Sequence, residues 1–424
     1  MNDFKLCYGC MRKRTQDEKY CPSCGFNYEV YMSKKKPGTL NPGTIIDDRY
    51  IIGIVLGQGG FGITYLGYDK NLEIPVAVKE YYPKDSVSRE TENMETNGCK
   101  VSVIGDVNEY KAGLERFLNE ARTLAQFNKL EGIVTVSAYI EENNTGYIIM
   151  DYLPGMSLKK IIEGQKEPMS EKEVIRLLKP VMKALEEVHK HGLIHRDISP
   201  DNLIMNDDGC LTLIDFGAAR QVTQQNQHDL TVILKRGYAP LEQCIKSGEQ
   251  GPWTDVYALA ATIYYMITHA VPEQAIERVR DDPVYTLYDL GMPVSKAFSD
   301  AVAMGMEVDY HDRFQSMEAF EAALTGETNI TDQKQNSRKT EPNFLNTSGK
   351  SGKYTPANAV DNSKRRSVYG ERFSHWSDGH IPPAPVRPEN EDNGSDRKLM
   401  LAVTVVIGIA AVVLIGTALF LLLS

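Results

Sequence analysis

The chain has 424 residues, a formal net charge of −10 and 42% hydrophobic residues. This length is enough for two or three domains, one of them with a sizeable core, and the net negative charge argues against general affinity for nucleic acids. The seven cysteines are odd in number and unevenly placed, which is not typical of a secreted disulfide framework. No apolar signal-peptide stretch opens the sequence, so we expect the soluble part to lie in a reducing cytoplasm.

Two cysteine pairs mark residues 1–30 as a small module: Cys7-x-x-Cys10 and Cys21-x-x-Cys24. Each two-residue spacing lets both thiolates face one point, and two such turns complete a tetrahedral Zn²⁺ site. Two disulfides or a redox pair are the alternatives, but a cytoplasmic chain with no βαβ pattern around the pairs favours zinc. With four thiolates bound no open position remains, so we expect a structural Zn²⁺ in a module that resembles short zinc ribbons.

Residues 31–43 are rich in Lys, Pro and Gly and predict a linker. From residue 44 to residue 325, strand-like runs are followed by helix-like runs, which predicts an α+β domain of two lobes. The stretch from Glu80 to Asn108 remains without an assignment. The predicted strands are Tyr50–Leu56, Thr64–Tyr68 and Pro75–Glu80, and the predicted helices are Tyr110–Phe127, Glu171–His191, Asp255–Thr268 and Ser316–Leu324.

The last hundred residues have a different composition. Residues 326–398 are polar and poor in aliphatic residues, so we expect a disordered juxtamembrane linker. Residues 399–423 carry no charge and would form a helix of ~37 Å, against ~30 Å of bilayer hydrocarbon. A buried core helix is the alternative, disfavoured because no domain follows in the sequence. Arg397 and Lys398 precede the stretch, which predicts a single-pass protein of the cell membrane with its large N-terminal part cytoplasmic.

A glycine-rich segment lies between the first two predicted strands. Gly57, Gly59 and Gly62 have the spacing G-x-G-x-x-G, which alone is a weak signal because several nucleotide folds and ordinary turns share it. Its place between two strands disfavours a Rossmann unit. It favours a hairpin whose backbone comes close to the phosphates of ATP.

Lys79 ends the next predicted strand, Val76-Ala77-Val78-Lys79. A lysine in this place is often only an edge residue, but behind a glycine-rich hairpin it can reach the α- and β-phosphates. Its ammonium group then needs a carboxylate partner. Glu120 on the following helix is the best candidate, because Glu109 and Glu115 fit the helix register less well.

Two further motifs supply the remaining chemistry. His195-Arg196-Asp197 is followed by Asn202, and Asp215-Phe216-Gly217 comes thirteen residues later. Phosphoryl transfer needs a carboxylate near the acceptor hydroxyl, and an amide and a second carboxylate for Mg²⁺. Asp197, Asn202 and Asp215 supply these groups in order. Each alone could be a turn residue, but their order behind Gly57 and Lys79 leaves little room for chance.

With these motifs, residues 44–325 resemble the eukaryotic-type (Hanks-type) serine/threonine protein kinase domain of bacteria. The resemblance implies an N-lobe at 44–150, a hinge at 151–153 and a C-lobe at 154–325. It implies ATP with Mg²⁺ or Mn²⁺ as cofactors and proteins as substrates. The residues implied to bind ATP are Leu56, Gly57, Gly59, Gly62, Thr64, Ala77, Lys79, Met150, Asp151, Leu153 and Ile204.

The resemblance also implies structural partners in the C-lobe. Tyr238 to Glu242 resembles the end of an activation segment, Glu242 would pair with Arg313, and Asp255 would brace the catalytic loop. Arg196 precedes Asp197, and such an arginine commonly grips a phosphate on the activation segment. Autophosphorylation by neighbouring copies is therefore expected. The candidate acceptors are Thr223 and Thr231 in the activation segment and Ser367 in the linker.

Three positions depart from the family's pattern. Thr64 replaces the usual valine after the glycine-rich loop. Ser199 stands where such kinases usually carry lysine, and Lys235 stands where they usually carry threonine. One hypothesis explains the last two: the ammonium and the hydroxyl have exchanged loops, and Lys235 supplies the positive charge beside the transferring phosphoryl group. Otherwise Lys235 is a solvated loop residue and Ser199 marks a weakened enzyme.

Two other function classes fit parts of the sequence. A pseudokinase scaffold would act by binding alone, but Lys79, Glu120, Asp197, Asn202 and Asp215 are all present, which favours activity. A small-molecule phosphotransferase on a related fold is disfavoured because the activation segment is long enough to receive protein substrates.

Overall fold

The computed structural model describes residues 5–14, 18–89, 99–215, 220–221, 235–245, 248–280 and 282–328. The predicted transmembrane stretch 399–423 and nearly all of the predicted disordered linker lie outside these ranges. Within them, no helix combines the length and the apolar character needed to cross a bilayer.

Strands dominate the first part of the chain and helices the second, which confirms the predicted α+β, two-lobed arrangement. The strands are β1 Lys5–Leu6, β2 Lys13–Arg14, β3 Ile45–Ile46, β4 Tyr50–Gln58, β5 Gly62–Asp69, β6 Ile74–Tyr81, β7 Val87–Arg89, β8 Val101–Val103, β9 Val136–Glu142, β10 Thr145–Asp151, β11 Gly155–Ser157, β12 Leu193–Ile194, β13 Leu203–Asn206, β14 Leu211–Leu213 and β15 Arg220–Gln221. The helices are α1 Tyr28–Ser33, α2 Val107–Leu124, α3 Leu158–Gly164, α4 Glu171–Lys190, α5 Leu241–Cys244, α6 Pro252–Thr268, α7 Ala275–Arg278, α8 Lys296–Gly305 and α9 Met317–Leu324.

A six-stranded antiparallel sheet in the order β3-β4-β5-β6-β10-β9 forms the N-lobe. Helix α2 packs on this sheet through Phe117, Leu118 and Ala121, which are buried, as the helical spacing predicted. The helix begins three residues before the predicted Tyr110, because Asp106 Oδ1 accepts hydrogen bonds from the first-turn N–H groups. This cap adds a turn that the apolar spacing could not reveal.

Residues 31–43, predicted as a linker, pack against the N-lobe. The helix α1 extends into this segment as far as Ser33, and Thr39 and Leu40 are each 1% exposed. The Leu40 N–H donates to the Tyr65 hydroxyl oxygen at 3.1 Å. The proline and glycine content therefore reflects an irregular backbone that follows the surface of the sheet, rather than a chain segment in solvent.

The unassigned stretch between β6 and α2 contains an antiparallel hairpin of β7 and β8, whose tip at residues 90–98 lies outside the described ranges. Arg89 ends β7 and forms an ion pair with Glu80, and both side chains are 0% exposed. Arg89 Nε also donates to the Gly38 carbonyl at 2.9 Å, and the Tyr65 hydroxyl donates to Glu80 Oε2 at 2.9 Å. The hairpin and residues 36–40 are thus fastened to β6, the strand that carries Lys79.

The C-lobe is built around α6, whose residues from Thr254 to Thr268 are all buried. Helices α4, α8 and α9 surround it in one hydrophobic core. Arg313 Nη1 and Nη2 donate to the two carboxylate oxygens of Glu242 at 2.8 and 3.0 Å, which confirms the predicted pair. This contact anchors the end of the activation segment to the C-lobe core.

Candidate active site

The buried carboxylate of Asp255 is hydrogen-bonded to the backbone of the catalytic loop, which lies between β12 and β13. Asp255 on α6 accepts hydrogen bonds from the backbone N–H groups of His195 and Arg196 and from His189 Nε2, each at 2.8 Å. Burial alone would raise the pKa of Asp255, but the hydrogen bond and charge of His189 outweigh it and hold the pKa below its ordinary value. The backbone of Arg196 has a φ of 70°, a conformation that persists only where its surroundings fix it.

Asn202 links the two ends of this loop. Its amide nitrogen donates to both the backbone carbonyl and the Oδ2 atom of Asp197, each at 2.8 Å. The Ile214 N–H donates to the Asn202 carbonyl at 2.9 Å, so the residue before Asp215 is hydrogen-bonded to this loop. Asp197, Asn202 and Asp215 are therefore assembled at one place, as their order in the sequence predicted.

Lys79 lies between two acidic side chains. Its ammonium nitrogen is 2.5 Å from Asp215 Oδ1 and 3.9 Å from Glu120 Oε1. Burial alone would lower the pKa of Lys79, but the charges of Asp215 and Glu120 raise it above its ordinary value. Burial raises the pKa of Glu120 to about 7, against the opposing charge of Lys79. In this conformation the lysine pairs more closely with Asp215 than with its predicted partner.

Lys235 and Ser199 meet next to the catalytic carboxylate. Lys235 Nζ donates to Ser199 Oγ at 2.9 Å and lies 3.3 Å from Asp197 Oδ1. Ser199 is 0% exposed, and the side chain of Lys235 is 30% exposed. The structure thus has the ammonium group at the position that the exchange hypothesis requires. Its part in catalysis remains a prediction.

The predicted nucleotide residues of the N-lobe lie on and between β4, β5, β6 and β10. The Gly59 N–H donates to the Gly62 carbonyl at 2.9 Å and closes the glycine-rich hairpin. Ala77 and Met150 are neighbours across β6 and β10, and each is 8% exposed. Leu56 is 44% exposed near the end of β4.

The remaining predicted nucleotide residues are distributed over the two lobes and the segment that joins them. Thr64 is opposite Gly57 in the β4–β5 ladder and opposite Lys79 in the β5–β6 ladder. Asp151 ends β10, and Leu153 lies in the segment that joins β10 to β11. Ile204, on β13 of the C-lobe, is half-buried two residues after Asn202. Their assignment to ATP still follows from the resemblance alone.

The family model of the protein kinase domain matches residues 50–322. The chain belongs to the protein kinase family. It is 29% identical over 329 residues to serine/threonine-protein kinase F of Synechocystis sp., covering 74% of this chain and 59% of that protein. It is 28% identical over 268 residues to serine/threonine-protein kinase PknL of Mycobacterium tuberculosis, covering 62% of this chain and 60% of that protein. The chain thus matches about 60% of the length of these relatives.

Among solved structures, the chain is similar to one titled PpkA-294 apo form. The identity is 32%, the TM-score is 0.59, and the match covers 68% of this chain and 99% of that one. The family match, together with bacterial relatives named serine/threonine-protein kinases, shows that the matched domain is a serine/threonine protein kinase domain. ATP and Mg²⁺ or Mn²⁺ are the cofactors that the family implies.

The residues of the site fit such a cation. Asn202 uses its amide nitrogen towards Asp197, which leaves its amide oxygen as a ligand, and the carboxylate of Asp215 is 43% exposed. Carboxylate and amide oxygens are the ligands that Mg²⁺ prefers. Asn202 and Asp215 would hold the cation, which supplies positive charge to the phosphates of ATP when it is bound.

Two residues of the kinase site were missed by sequence reasoning. His189 in the last turn of α4 donates to Asp255, and Gln243 Nε2 donates to the Arg196 carbonyl at 2.9 Å. Neither belongs to a spaced motif, and each contacts a partner distant in the sequence: Asp255 for His189, and the Arg196 carbonyl for Gln243. The nearest clue in the sequence was Glu242, which immediately precedes Gln243 and belongs to the motif at the end of the activation segment.

The four N-terminal cysteines converge on one point. The sulfur atoms of Cys7, Cys10, Cys21 and Cys24 all lie within 4.8 Å of one another. Cys7 Sγ lies 3.6 Å from Cys24 Sγ and Cys10 Sγ lies 3.9 Å from Cys21 Sγ, distances far longer than the ~2.05 Å of a disulfide, and all four cysteines are free thiols. Four sulfur ligands around one point fit a tetrahedral Zn²⁺.

Proposed function

We propose that the chain is an active serine/threonine kinase that transfers the γ-phosphoryl group of ATP to protein hydroxyls in membrane-associated signalling. The observation that carries this proposal is the convergence of Lys79, Asp197, Asn202 and Asp215 in one site. A pseudokinase scaffold is not favoured, because none of these groups is replaced.

Each side chain has a distinct task in this reaction. Asp197, held by Asn202, orients the acceptor hydroxyl and accepts its hydrogen bond. Lys79 beside Asp215 and Lys235 beside Asp197 place positive charge in the site, where negative charge develops in the transition state. Asp255 keeps the catalytic loop in its conformation through the N–H groups of His195 and Arg196. The chain's contribution is therefore positioning and electrostatic stabilisation.

Incubation of the full chain with Mg-ATP labelled at the γ-phosphate tests the proposal. We expect the wild type to incorporate label and Asp215→Ala to incorporate none, because the variant loses a carboxylate that a divalent cation needs. Asp208→Ala is the matched control, since Asp208 is exposed in a turn outside the site. A wild type that stays unlabelled, both on itself and on generic protein substrates, would support the scaffold instead.

The same experiment followed by phosphosite mapping tests autophosphorylation. Thr223, Thr231 and Ser367 are the proposed acceptors, and all three lie outside the described residues. If residues 326–398 behave as a coil, they span roughly 45–50 Å on average. Neighbouring anchored copies then meet at an effective concentration that approaches ~mM.

We also propose that residues 399–423 anchor the chain in the cell membrane, with the kinase domain in the cytoplasm. The support is the uncharged stretch preceded by Arg397 and Lys398. Flotation with vesicles of the full chain, but not of a chain ending at residue 398, is the expected result. Flotation of both chains or of neither would contradict this anchor.

The N-terminal module is proposed to hold one structural Zn²⁺. We expect elemental analysis to find about one Zn²⁺ per chain, and Cys21→Ser to lose it, because three thiolates and a hydroxyl bind the ion far less tightly. Cys210→Ser is the matched control, since Cys210 is exposed immediately before β14 in the C-lobe. Zinc-free wild type, or disulfides among these cysteines in mass spectrometry, would refute the site.

A further inference from the structure

The N-terminal cysteine module lies directly on β4, the strand that leads into the glycine-rich loop. A Cβ atom at Gly53 would lie 2.4 Å from the Tyr8 carbonyl oxygen and 2.3 Å from Met11 Cε, so the contact is close enough to require glycine. Met11 is 4% exposed and packs with Leu66 and Tyr68 of β5. The first cysteine turn and the N-lobe sheet therefore form one packed interface.

The contact falls where the sheet is irregular. The β4–β5 pairing shifts register between Ile52 and Val55 and again between Val55 and Gly57. A bulge of this kind leaves backbone groups without ladder partners. Here the Ile54 N–H donates to the Tyr8 carbonyl at 3.0 Å, and the Val55 N–H donates to the Tyr31 hydroxyl oxygen at 2.9 Å. One acceptor comes from the first cysteine turn and the other from α1, the helix that follows the second cysteine turn.

The first acceptor belongs to a cysteine turn. Tyr8 lies between Cys7 and Cys10, and the Cys7 carbonyl accepts from the N–H groups of Cys10 and Met11 at 3.2 and 2.7 Å. The turn that brings Cys7 and Cys10 towards the other two cysteines is thus the turn that places the Tyr8 carbonyl against β4.

The second acceptor is placed by the other cysteine turn. Cys21 accepts at its carbonyl from the Gly25 N–H, and its own N–H donates to the Phe26 carbonyl. The Phe26 ring lies 5.7 Å from the Tyr31 ring, and Asn27 caps the helix that carries Tyr31. The position of the Tyr31 hydroxyl therefore depends on the fold of this turn.

We propose that the zinc-loaded module is a metal-dependent clamp that fixes the β4 bulge and thereby sets the affinity of the kinase for nucleotide. Val55 immediately precedes Leu56 and Gly57, so the clamp acts one residue from the loop that covers ATP in the proposed function. Tyr152, in the segment that joins the lobes, packs on the same Met11 cluster. Tyr31 is a positioning residue, since it acts through the backbone of β4 and not on the reacting groups.

Tyr31→Phe tests the clamp without touching a cysteine. We expect the Kd of a non-hydrolysable Mg-ATP analogue, measured by calorimetry on the full chain, to rise about 5- to 10-fold, the effect of one lost hydrogen bond to a half-buried N–H. The KM for ATP should rise equally while kcat stays within about twofold, because only ground-state positioning changes. Zinc content should be unchanged. Tyr28→Phe, an exposed tyrosine of the same helix, is the matched control.

Gly53→Ala combined with zinc removal tests the metal dependence. We expect chelation and Gly53→Ala each to raise the nucleotide Kd, and the two together to raise it little more than either alone, because both release one interface. Gly164→Ala is the control, since a Cβ there meets nothing within 4 Å. This variant should leave the response to chelation unchanged.

Three outcomes would overturn the clamp. They are a nucleotide Kd within about twofold of wild type in Tyr31→Phe, a kcat that falls as much as KM rises, and fully additive effects of chelation and Gly53→Ala. The proposed phosphotransfer fails separately: a wild type that binds the analogue but transfers no phosphate would refute the kinase activity and leave the clamp intact.

Discussion

Lys235→Ala should lower kcat by about 100-fold or more, the cost of losing one charge-stabilising donor in an active site. The physical reason is the position of the ammonium group, 2.9 Å from Ser199 Oγ and 3.3 Å from Asp197 Oδ1. No lysine stands at residue 199 to replace it. Steady-state kinetics with a protein substrate measures the effect, and circular dichroism verifies that the variant is folded.

The exchange hypothesis also predicts the effect of a double substitution of Ser199 and Lys235. Ser199→Lys combined with Lys235→Thr should recover much of the activity, because it returns one ammonium and one hydroxyl to the site on opposite loops. Lys159→Ala is the matched control: this lysine lies 3.2 Å from Asp201 and its side chain is 42% exposed. Turnover close to normal in Lys235→Ala would rule the hypothesis out.

Arg89→Met should destabilise the N-lobe by about 3–5 kcal/mol, because it leaves the carboxylate of Glu80 buried without its partner. Both side chains of the pair are 0% exposed, and burial already raises the pKa of Glu80 despite the charge of Arg89. Urea denaturation followed by circular dichroism measures the free energy of unfolding. The variant should also weaken nucleotide binding, since Glu80 adjoins Lys79 on β6.

Two comparisons separate the buried charge from lost packing. Glu80→Gln combined with Arg89→Met should recover part of the stability, because the uncompensated charge is removed. Lys13→Met, which breaks the exposed pair of Lys13 and Glu73, should change stability little. If the double variant is less stable than Arg89→Met, the pair contributes through shape and hydrogen bonds, and the explanation from charge is wrong.

The sequence by itself determined the kinase fold and the convergence of Asp197, Asn202 and Asp215. Asp197, Asn202 and Asp215 lie in loops next to short strands. Residues that are close together in the sequence are therefore also close together in the fold. The same holds for the cysteine pairs, because a two-residue turn brings both sulfur atoms together whatever surrounds it. The spacing of apolar residues located α2, which buries one face, and α6, which is buried all round.

The tertiary structure decided what depends on contacts between distant segments. The hairpin of β7 and β8 has only three residues in each strand, too few for a periodic signal, and it is held by the buried pair of Arg89 and Glu80. Residues 31–43 looked like a linker because proline and glycine report an irregular backbone and not its burial. The hydrogen bonds of Tyr8 and Tyr31 to the β4 bulge could not be predicted from the residue spacing of either the cysteine module or β4. Such contacts depend on where two surfaces meet in space, and local propensity carries no information about that meeting.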